Sequence, residues 1–408
     1  MLYNILLYIL ELGIFIASFF SAKVRKMWRG QHLAFKMLKK KVDPNTKYIW
    51  VHAASLGEFE QGRPIIEELR RKHPEYKILL TFFSPSGYEV RKNYDGADII
   101  CYLPIDTFTN ARRFLRLIRP EMAFFIKYEF WYNYLHILRH RNIPTYSVSS
   151  IFRKEQVFFK WYGYQYRHVL KCFTHFFVQN EESRRLLNGL GIHNVDVTGD
   201  TRFDRVRDIA KQSKTLPIVE AFTEDKKIFI AGSTWLPDEQ IFIPYFADKE
   251  DWKLIIAPHV IAEAHLEQIM QLLAGRKVIR FTQVKGEKEL HEAEVLIIDC
   301  YGLLSSIYKY GDVSYVGGGF GVGIHNLPEA AVWNLPVIFG PNNQKFREAQ
   351  ELKACGGGFE IHCEKCFKRI MDGFIESEES LKKASDAAGN YVRTQSGATE
   401  MILEHLFA

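Results

Sequence analysis

Short apolar runs alternate with amphipathic segments twice along this chain, and no other property narrows the choice of fold as far. Tyr48 to His52, Lys77 to Phe82, Ile99 to Tyr102, Met122 to Ile126, Thr145 to Val148, Phe176 to Val178 and Val195 to Val197 read as strands. Phe59 to Lys72, Thr109 to Leu117 and Glu181 to Leu190 carry a helical pattern between them, the first ended by Pro74. Asp204 to Glu224 is polar and helix-prone, and then the pattern restarts. Lys227 to Ala231, Trp252 to Ala257, Val278 to Arg280, Val295 to Ile298, Val313 to Val316 and Val337 to Phe339 are its strands. Such an alternation calls for parallel, doubly wound sheets. The expectation is an α/β chain with Rossmann-like domains at 31–210 and 226–376, a linker at 211–225 and terminal helices over 377–408. Ligands of open α/β sheets bind at the carboxyl ends of strands, so the chemistry is sought in strand-end loops.

The 408 residues are comfortable for two domains, and 47% hydrophobic with 25% charged residues describes a globular chain. A net charge of +6 is too small to imply nucleic acid, and no nucleic-acid motif is present; it suits an anionic membrane surface or a phosphorylated substrate. Six irregularly spaced cysteines form no disulfide framework. Cys363-x-x-Cys366, near His362 and Cys355, lacks a second pair at zinc-ligand spacing and reads as a charged surface loop.

Leu2 to Phe20 is almost continuously apolar, long enough to cross a bilayer, and is followed by Lys23, Arg25, Lys26 and Arg29. That basic flank predicts that the remainder lies on the cytoplasmic side, with residues 1–30 as the anchor. Asn4, Glu11, Ser18 and Arg25 recur every seven residues and share one helical face. The stripe leaves two other arrangements open: a helix lying in the interface, or one packing its polar face on the body. Phe152 to Arg167 mixes basic residues with aromatics, as either an interfacial surface or a partly buried helix would.

Residues 311–342 form the richest stretch. The strand Val313 to Val316 runs into three glycines, a loose glycine-containing loop follows, and His325-Asn326-Leu327-Pro328-Glu329 opens an alanine-rich helix before the next strand. The glycines mark close backbone approach, the helix start suits an anion, and Glu329 can accept two ribose hydroxyls. A capping box from Asn326 to Glu329 explains the same residues. After the strand at Tyr48, His52-Ala53-Ala54-Ser55-Leu56-Gly57-Glu58 poses the same choice. Glu58 is either a general base at a helix start or the capping partner of Ser55, with Glu60 as its decoy. Gly232-Ser233-Thr234 offers N–H groups and hydroxyls to a phosphate or simply caps a helix from Pro237 to Phe242. Strand-end loops also present Pro258-His259, Asp299-Cys300-Tyr301-Gly302-Leu303, Lys127-Tyr128-Glu129-Phe130-Trp131 and Thr198-Gly199-Asp200-Thr201-Arg202-Phe203-Asp204, where Arg202 suits an anion.

In order and spacing these motifs resemble the 3-deoxy-D-manno-octulosonic acid (Kdo) transferases of lipopolysaccharide assembly, from the N-terminal helix to about Arg393. The resemblance implies a glycosyltransferase B fold, with two Rossmann-like domains facing a cleft and an N-terminal membrane-associated helix. It implies an inverting reaction needing no metal or other cofactor, with CMP-Kdo as donor and a lipid A precursor, lipid IVA, as acceptor. The enzyme would work at the inner membrane, its catalytic domains on the cytoplasmic face. The family's base falls on Glu58, and transition-state roles fall on Glu129 and Arg202. CMP contacts fall on Pro258, His259, Tyr301, Gly302, Leu303, Asn326, Leu327, Pro328 and Glu329, beside the Gly232-Ser233-Thr234 turn. Many relatives carry Pro-Arg at 258–259, Gly-Glu at 302–303 and Asn-Pro-Leu-Glu at 326–329, so this chain departs at His259, Leu303 and the Leu327-Pro328 order.

Overall fold

The computed structural model describes residues 2–224, 226–321 and 323–407; Val322 of the glycine-rich stretch lies outside the described residues, as do the side chains of Leu2 and Gln165. Two compact units are present, one made of residues 1–205 with 396–408, the other of 206–395.

The first unit is built on β1 (Tyr48–His52), β2 (Lys77–Phe82), β3 (Ile99–Tyr102), β4 (Met122–Ile126), β5 (Thr145–Ser150), β6 (His175–Val178) and β7 (Val195–Val197). They form one sheet, order β3-β2-β1-β4-β5-β6-β7, with every pairing parallel. Residues of β1 alternate between two cores. Tyr48 and Trp50 join Leu79, Phe114 and Phe125 on one face, while Ile49 and Val51 join Ile65, Phe124 and Phe177 on the other. All five β1 residues are buried, which is why the strand reads as an unbroken apolar run. The closing helix Ala398–Phe407 supplies Ile402 and Leu403 to that second face, so the chain returns to the first unit at its end.

The second unit carries β8 (Lys227–Thr234), β9 (Trp252–Pro258), β10 (Val278–Arg280), β11 (Val295–Ile297), β12 (Val313–Val316), β13 (Val337–Phe339) and β14 (Gly358–Glu360). Their order is β10-β11-β9-β8-β12-β13-β14, again parallel throughout. The α/β class expected from the sequence is therefore observed, with one unforeseen strand. β14 has three residues and follows Gly356-Gly357, a composition that reads as loop. Within 211–225, helix Pro217–Thr223 buries Val219 and Phe222.

Leu2–Phe20 is a single helix. Its polar stripe faces protein. The Tyr3 hydroxyl donates to Asp106 Oδ2 at 2.7 Å, and Asn133 Nδ2 donates to Asn4 Oδ1 at 2.8 Å. Glu11 lines a cavity of about 340 Å³ together with His32, Lys36, Lys39 and Arg113. Arg25 donates to the carbonyls of Ser18 and Phe19, closing the helix end. Ile5, Ile9, Leu12, Ile16, Phe19 and Phe20 stay exposed on the rest of the surface. Phe152 to Arg167 divides in the same way: Phe152 and Phe158 are buried, while Trp161, Tyr162, Tyr164 and Tyr166 are exposed.

Candidate functional site

In the first unit the singled-out side chains gather where β1, β4, β5 and β7 end. Ser55 is the N-cap of helix Leu56–Lys72 with an extended backbone. Its N–H donates to Glu58 Oε2 at 3.0 Å, and its hydroxyl donates to the same oxygen. The capping arrangement of Glu58 is therefore real, and it turns one carboxylate oxygen inward. Neither bond falls on Oε1, and the side chain remains half-exposed. Glu60 pairs with Arg91 at 2.8 Å.

Beyond β4, Glu129 Oε2 accepts from Trp131 Nε1 at 2.6 Å and lies 3.2 Å from Nε2 of buried His52. The other ring nitrogen of His52 sits 2.9 Å from Thr81 Oγ1, which fixes the imidazole. Tyr128 links this loop to the others. Burial raises its phenol above the ordinary range, Arg153 opposes that, and the Asp200 and Glu58 carboxylates add to the rise. Such mutual influence puts Glu58, Tyr128 and Asp200 in one electrostatic neighbourhood.

Asp200 is buried. Its carboxyl is pushed up by burial but held below its ordinary value by the Arg202 guanidinium and by hydrogen bonds from Arg202 and Gln61. Arg202 meets Asp200 Oδ2 through Nε at 3.0 Å and Nη2 at 2.9 Å. The loop is anchored from β5, where Ser149 Oγ and Thr201 Oγ1 are 2.9 Å apart. Lys127 and Ser149 both adopt left-handed backbone, with φ of 67° and 50°. Each costs about 1–3 kcal/mol for a residue other than glycine, and such strain clusters at functional loops.

In the second unit β8 ends in a bulge at Ser233, whose φ is 53°. The turn expected at Gly232-Ser233-Thr234 is thus the strand's own irregular end, and the following helix runs Leu236–Phe242. Thr234 Oγ1 donates to buried Glu239 at 2.7 Å, so its hydroxyl is occupied by the protein, whereas Ser233 remains half-exposed. Gly232 leaves no room for a side chain: a Cβ would lie 2.0 Å from the Tyr308 hydroxyl oxygen.

The glycines after β12 bring loops against each other. A Cβ on Gly317 would meet the Ser233 carbonyl oxygen at 2.3 Å, and one on Gly319 would meet Gly340 Cα at 2.6 Å. Asp238 locks this junction. It accepts from Trp235 N–H at 2.9 Å, Gly318 N–H at 3.0 Å and the Tyr315 hydroxyl at 2.7 Å. Burial raises its carboxyl above the ordinary range, against these three bonds. Burial raises Glu239 too, opposed by Thr234 and by His265 at 2.9 Å. Asp238 and Glu239 went unnoticed in the sequence because two acids at a helix start look like solvated first-turn residues.

Pro258 closes β9, and the exposed His259 stacks on His325 with ring centroids 4.2 Å apart and meets the Trp235 ring at a tilt, 5.0 Å away. Burial, then His259, lowers the His325 imidazole below its usual value. Tyr301 is exposed, with its hydroxyl accepting from Ile261 N–H at 3.2 Å. Gly302 has φ of 91°, and Leu303 caps the turn Leu304–Ile307. The helix at Glu329 is one turn, Pro328–Ala331, with Leu327 rather than Asn326 as its N-cap. Too short for an anion site at its N-terminus, it corrects that expectation; Pro328 fills the first helical position, where a missing N–H costs least. Asn326 Nδ2 donates to Glu329 Oε1 at 2.7 Å, a side-chain bond and not a capping box. Glu329 adds to the rise that burial imposes on Tyr308, which itself abuts Gly232, so the two motifs converge. Cys363 and Cys366 lie elsewhere, at the start of helix Glu364–Glu376, with their sulfurs 3.5 Å apart.

Comparison with known proteins fits this geometry. The family described as 3-deoxy-D-manno-octulosonic-acid transferase (kdotransferase) matches residues 29–205. A 3-deoxy-D-manno-octulosonic acid transferase of Aquifex aeolicus is 29% identical over 84% of this chain and 91% of its own length. One from Haemophilus influenzae is 24% identical over 89% of this chain and 87% of its own. Among solved structures, UDP-GlcNAc 2-epimerase from Neisseria meningitidis superposes with a TM-score of 0.60 at 16% identity, over 88% of this chain and 99% of that one. MurG from Acinetobacter baumannii gives 0.56 at 11% identity, over 88% and 98%. These likenesses support the fold, which is of the glycosyltransferase B class. The sequence matches extend through both units: over most of its length the chain is similar to the Kdo transferases, a family of glycosyltransferases.

Proposed function

We propose that this protein moves Kdo from CMP-Kdo to a sugar hydroxyl of a lipid A precursor, lipid IVA, with inversion and without a metal or other cofactor. The observation that carries the reading is the posture of Glu58. Both Ser55 donors hold Oε2, which orients the carboxylate and leaves Oε1 as the basic atom. Oε1 takes the proton of the acceptor hydroxyl as that oxygen bonds to the anomeric carbon. The bond from that carbon to the phosphate oxygen breaks, and CMP leaves with the electron pair. A single displacement of this kind inverts the centre. A positioned base contributes about 10²–10⁴-fold.

Arg202, aligned by Asp200, supplies positive charge for the developing negative charge, and Glu129 holds His52 and Trp131 in place at the end of β4. On the donor unit Glu329 accepts the ribose hydroxyls, and the loops at 258–259, 301–303 and 326–328 cradle the rest of CMP, with Ser233 nearest to offering a free hydroxyl. His259, at the position where the resemblance implies an arginine, stacks on His325. The exposed apolar face of Leu2–Phe20 sits in the inner membrane, and the basic flank keeps both units on the cytoplasmic side. Incubation with CMP-Kdo and a tetra-acylated lipid A precursor, read by product mass, tests the proposal. The expected product gains Kdo. No product, or a clear preference for UDP over CMP in binding, overturns it.

A further inference from the structure

Away from these loops, three side chains from three elements converge on one point of the first unit. His175 opens β6, Asp196 lies in the middle of β7, and His405 comes from the closing helix Ala398–Phe407. His175 Nε2 is 3.0 Å from Asp196 Oδ2, and His405 Nδ1 is 3.2 Å from the same oxygen. The three donor atoms all lie within 4.8 Å of one another. We propose that His175, Asp196 and His405 bind a divalent metal of the zinc class, which clamps the closing helix onto the sheet of the first unit.

Three observations favour a metal over a simple ion pair. His175 Nε2 is buried and lies 3.0 Å from Asp196 Oδ2 without the alignment of a hydrogen bond, so the contact leaves its bonding capacity unmet. A tetrahedral zinc with bonds near 2.0 Å has ligand atoms about 3.3 Å apart, close to the two separations of 3.0 and 3.2 Å seen here. The rings are also held in place. Phe177 is fully buried and packs on both imidazoles, with centroids at 4.9 Å from His175 and 5.3 Å from His405. Two imidazoles and a carboxylate are borderline ligands of the kind zinc takes, with water completing the shell. The ligands come from positions 175, 196 and 405, so binding joins the chain's last helix to strands more than half its length away. The role is structural: Glu58 and Arg202 belong to other loops.

The test uses tag-free full-length protein, stripped with chelator, carrying Cys363→Ser and Cys366→Ser so that thiols do not compete. Calorimetric titration with Zn²⁺ alone is expected to show one ion per chain, and added Zn²⁺ to raise the Tm. His405→Ala is expected to weaken binding by roughly 100-fold or more, since loss of a mere outer-shell partner already costs 10–100-fold, and to abolish the Tm rise. His405 and Asp196 side chains are 40% and 50% exposed, so the fold tolerates their replacement. Asp196→Asn gives an independent second variant, and circular dichroism verifies that each is folded. Absence of zinc binding in the parent, or equal binding in folded His405→Ala and Asp196→Asn, overturns the proposal.

Discussion

Truncating Asp238 to Ala should loosen the glycine loop after β12 specifically. Asp238 is 1% exposed and its two oxygens receive three donors: Trp235 N–H, Gly318 N–H and the Tyr315 hydroxyl. Asp238→Ala removes all three acceptor contacts at once. A buried donor left unpaired costs about 1–3 kcal/mol, so independent losses would sum to several kcal/mol. Two effects reduce that sum. Water can enter the vacated volume, and the carboxylate is itself destabilised by burial, as its raised pKa records. A net loss of about 3 kcal/mol corresponds to a fall in amide protection of about 10²-fold. Hydrogen exchange read by mass spectrometry over peptides spanning 317–321 measures it directly, because the amide of Gly318 is one of the three donors. Asp238→Asn retains the volume and one acceptor oxygen and should cost about 1 kcal/mol. Donor affinity should fall alongside protection in Asp238→Ala if the loop cradles CMP. Unchanged exchange across 317–321 in a folded Asp238→Ala protein would refute the view that this carboxylate locks the junction.

Gly232→Ala drives a methyl group to 2.0 Å from the Tyr308 hydroxyl oxygen. It should lower stability by about 1–3 kcal/mol, partly restored by Tyr308→Phe, as measured by thermal unfolding. Burial raises Asp106 to about 7, against hydrogen bonds from Tyr3 and the Asn133 and Tyr134 amides. A carboxyl whose folded pKa is raised contributes stability that is present below its unfolded value near 4 and is lost as pH rises through about 7. Protection of the Asn133 and Tyr134 amides should therefore decline between those pH values, and Asp106→Asn should flatten the profile. Ile9→Lys with Ile16→Lys, at positions 61% and 52% exposed, should shift the protein from vesicle-bound to free in flotation without altering its unfolding; unaltered flotation would deny the helix its membrane role.

Most of both sheets was legible in the sequence because parallel strands are buried on both faces and leave unbroken apolar runs such as Tyr48 to His52. β14 was not, since Gly358-Phe359-Glu360 after two glycines carries no such run. The fate of the polar stripe on Leu2–Phe20 was legible only as a choice, and Asn133, Asp106 and the basic cavity beside Glu11 supply the partners that decide where it faces. Glu58 posed another choice, between cap and base. The structure shows the cap contacts on one oxygen, which a sequence cannot resolve because both readings need the same Ser-x-x-Glu spacing. The burial of Asp238 and Glu239 and the return of Ala398–Phe407 to the first unit depend on contacts distant in sequence, beyond the reach of any local pattern.

The posture of Glu58 makes the central claim directly measurable. Purified wild type and Glu58→Gln are compared in steady-state transfer from CMP-Kdo to a tetra-acylated lipid A precursor, with CMP affinity measured separately by titration. The account predicts Kdo-bearing product with the wild type, a turnover loss of about 10²–10⁴-fold in Glu58→Gln, and CMP affinity little changed, since the base acts in the transition state. Near wild-type turnover in Glu58→Gln would contradict it.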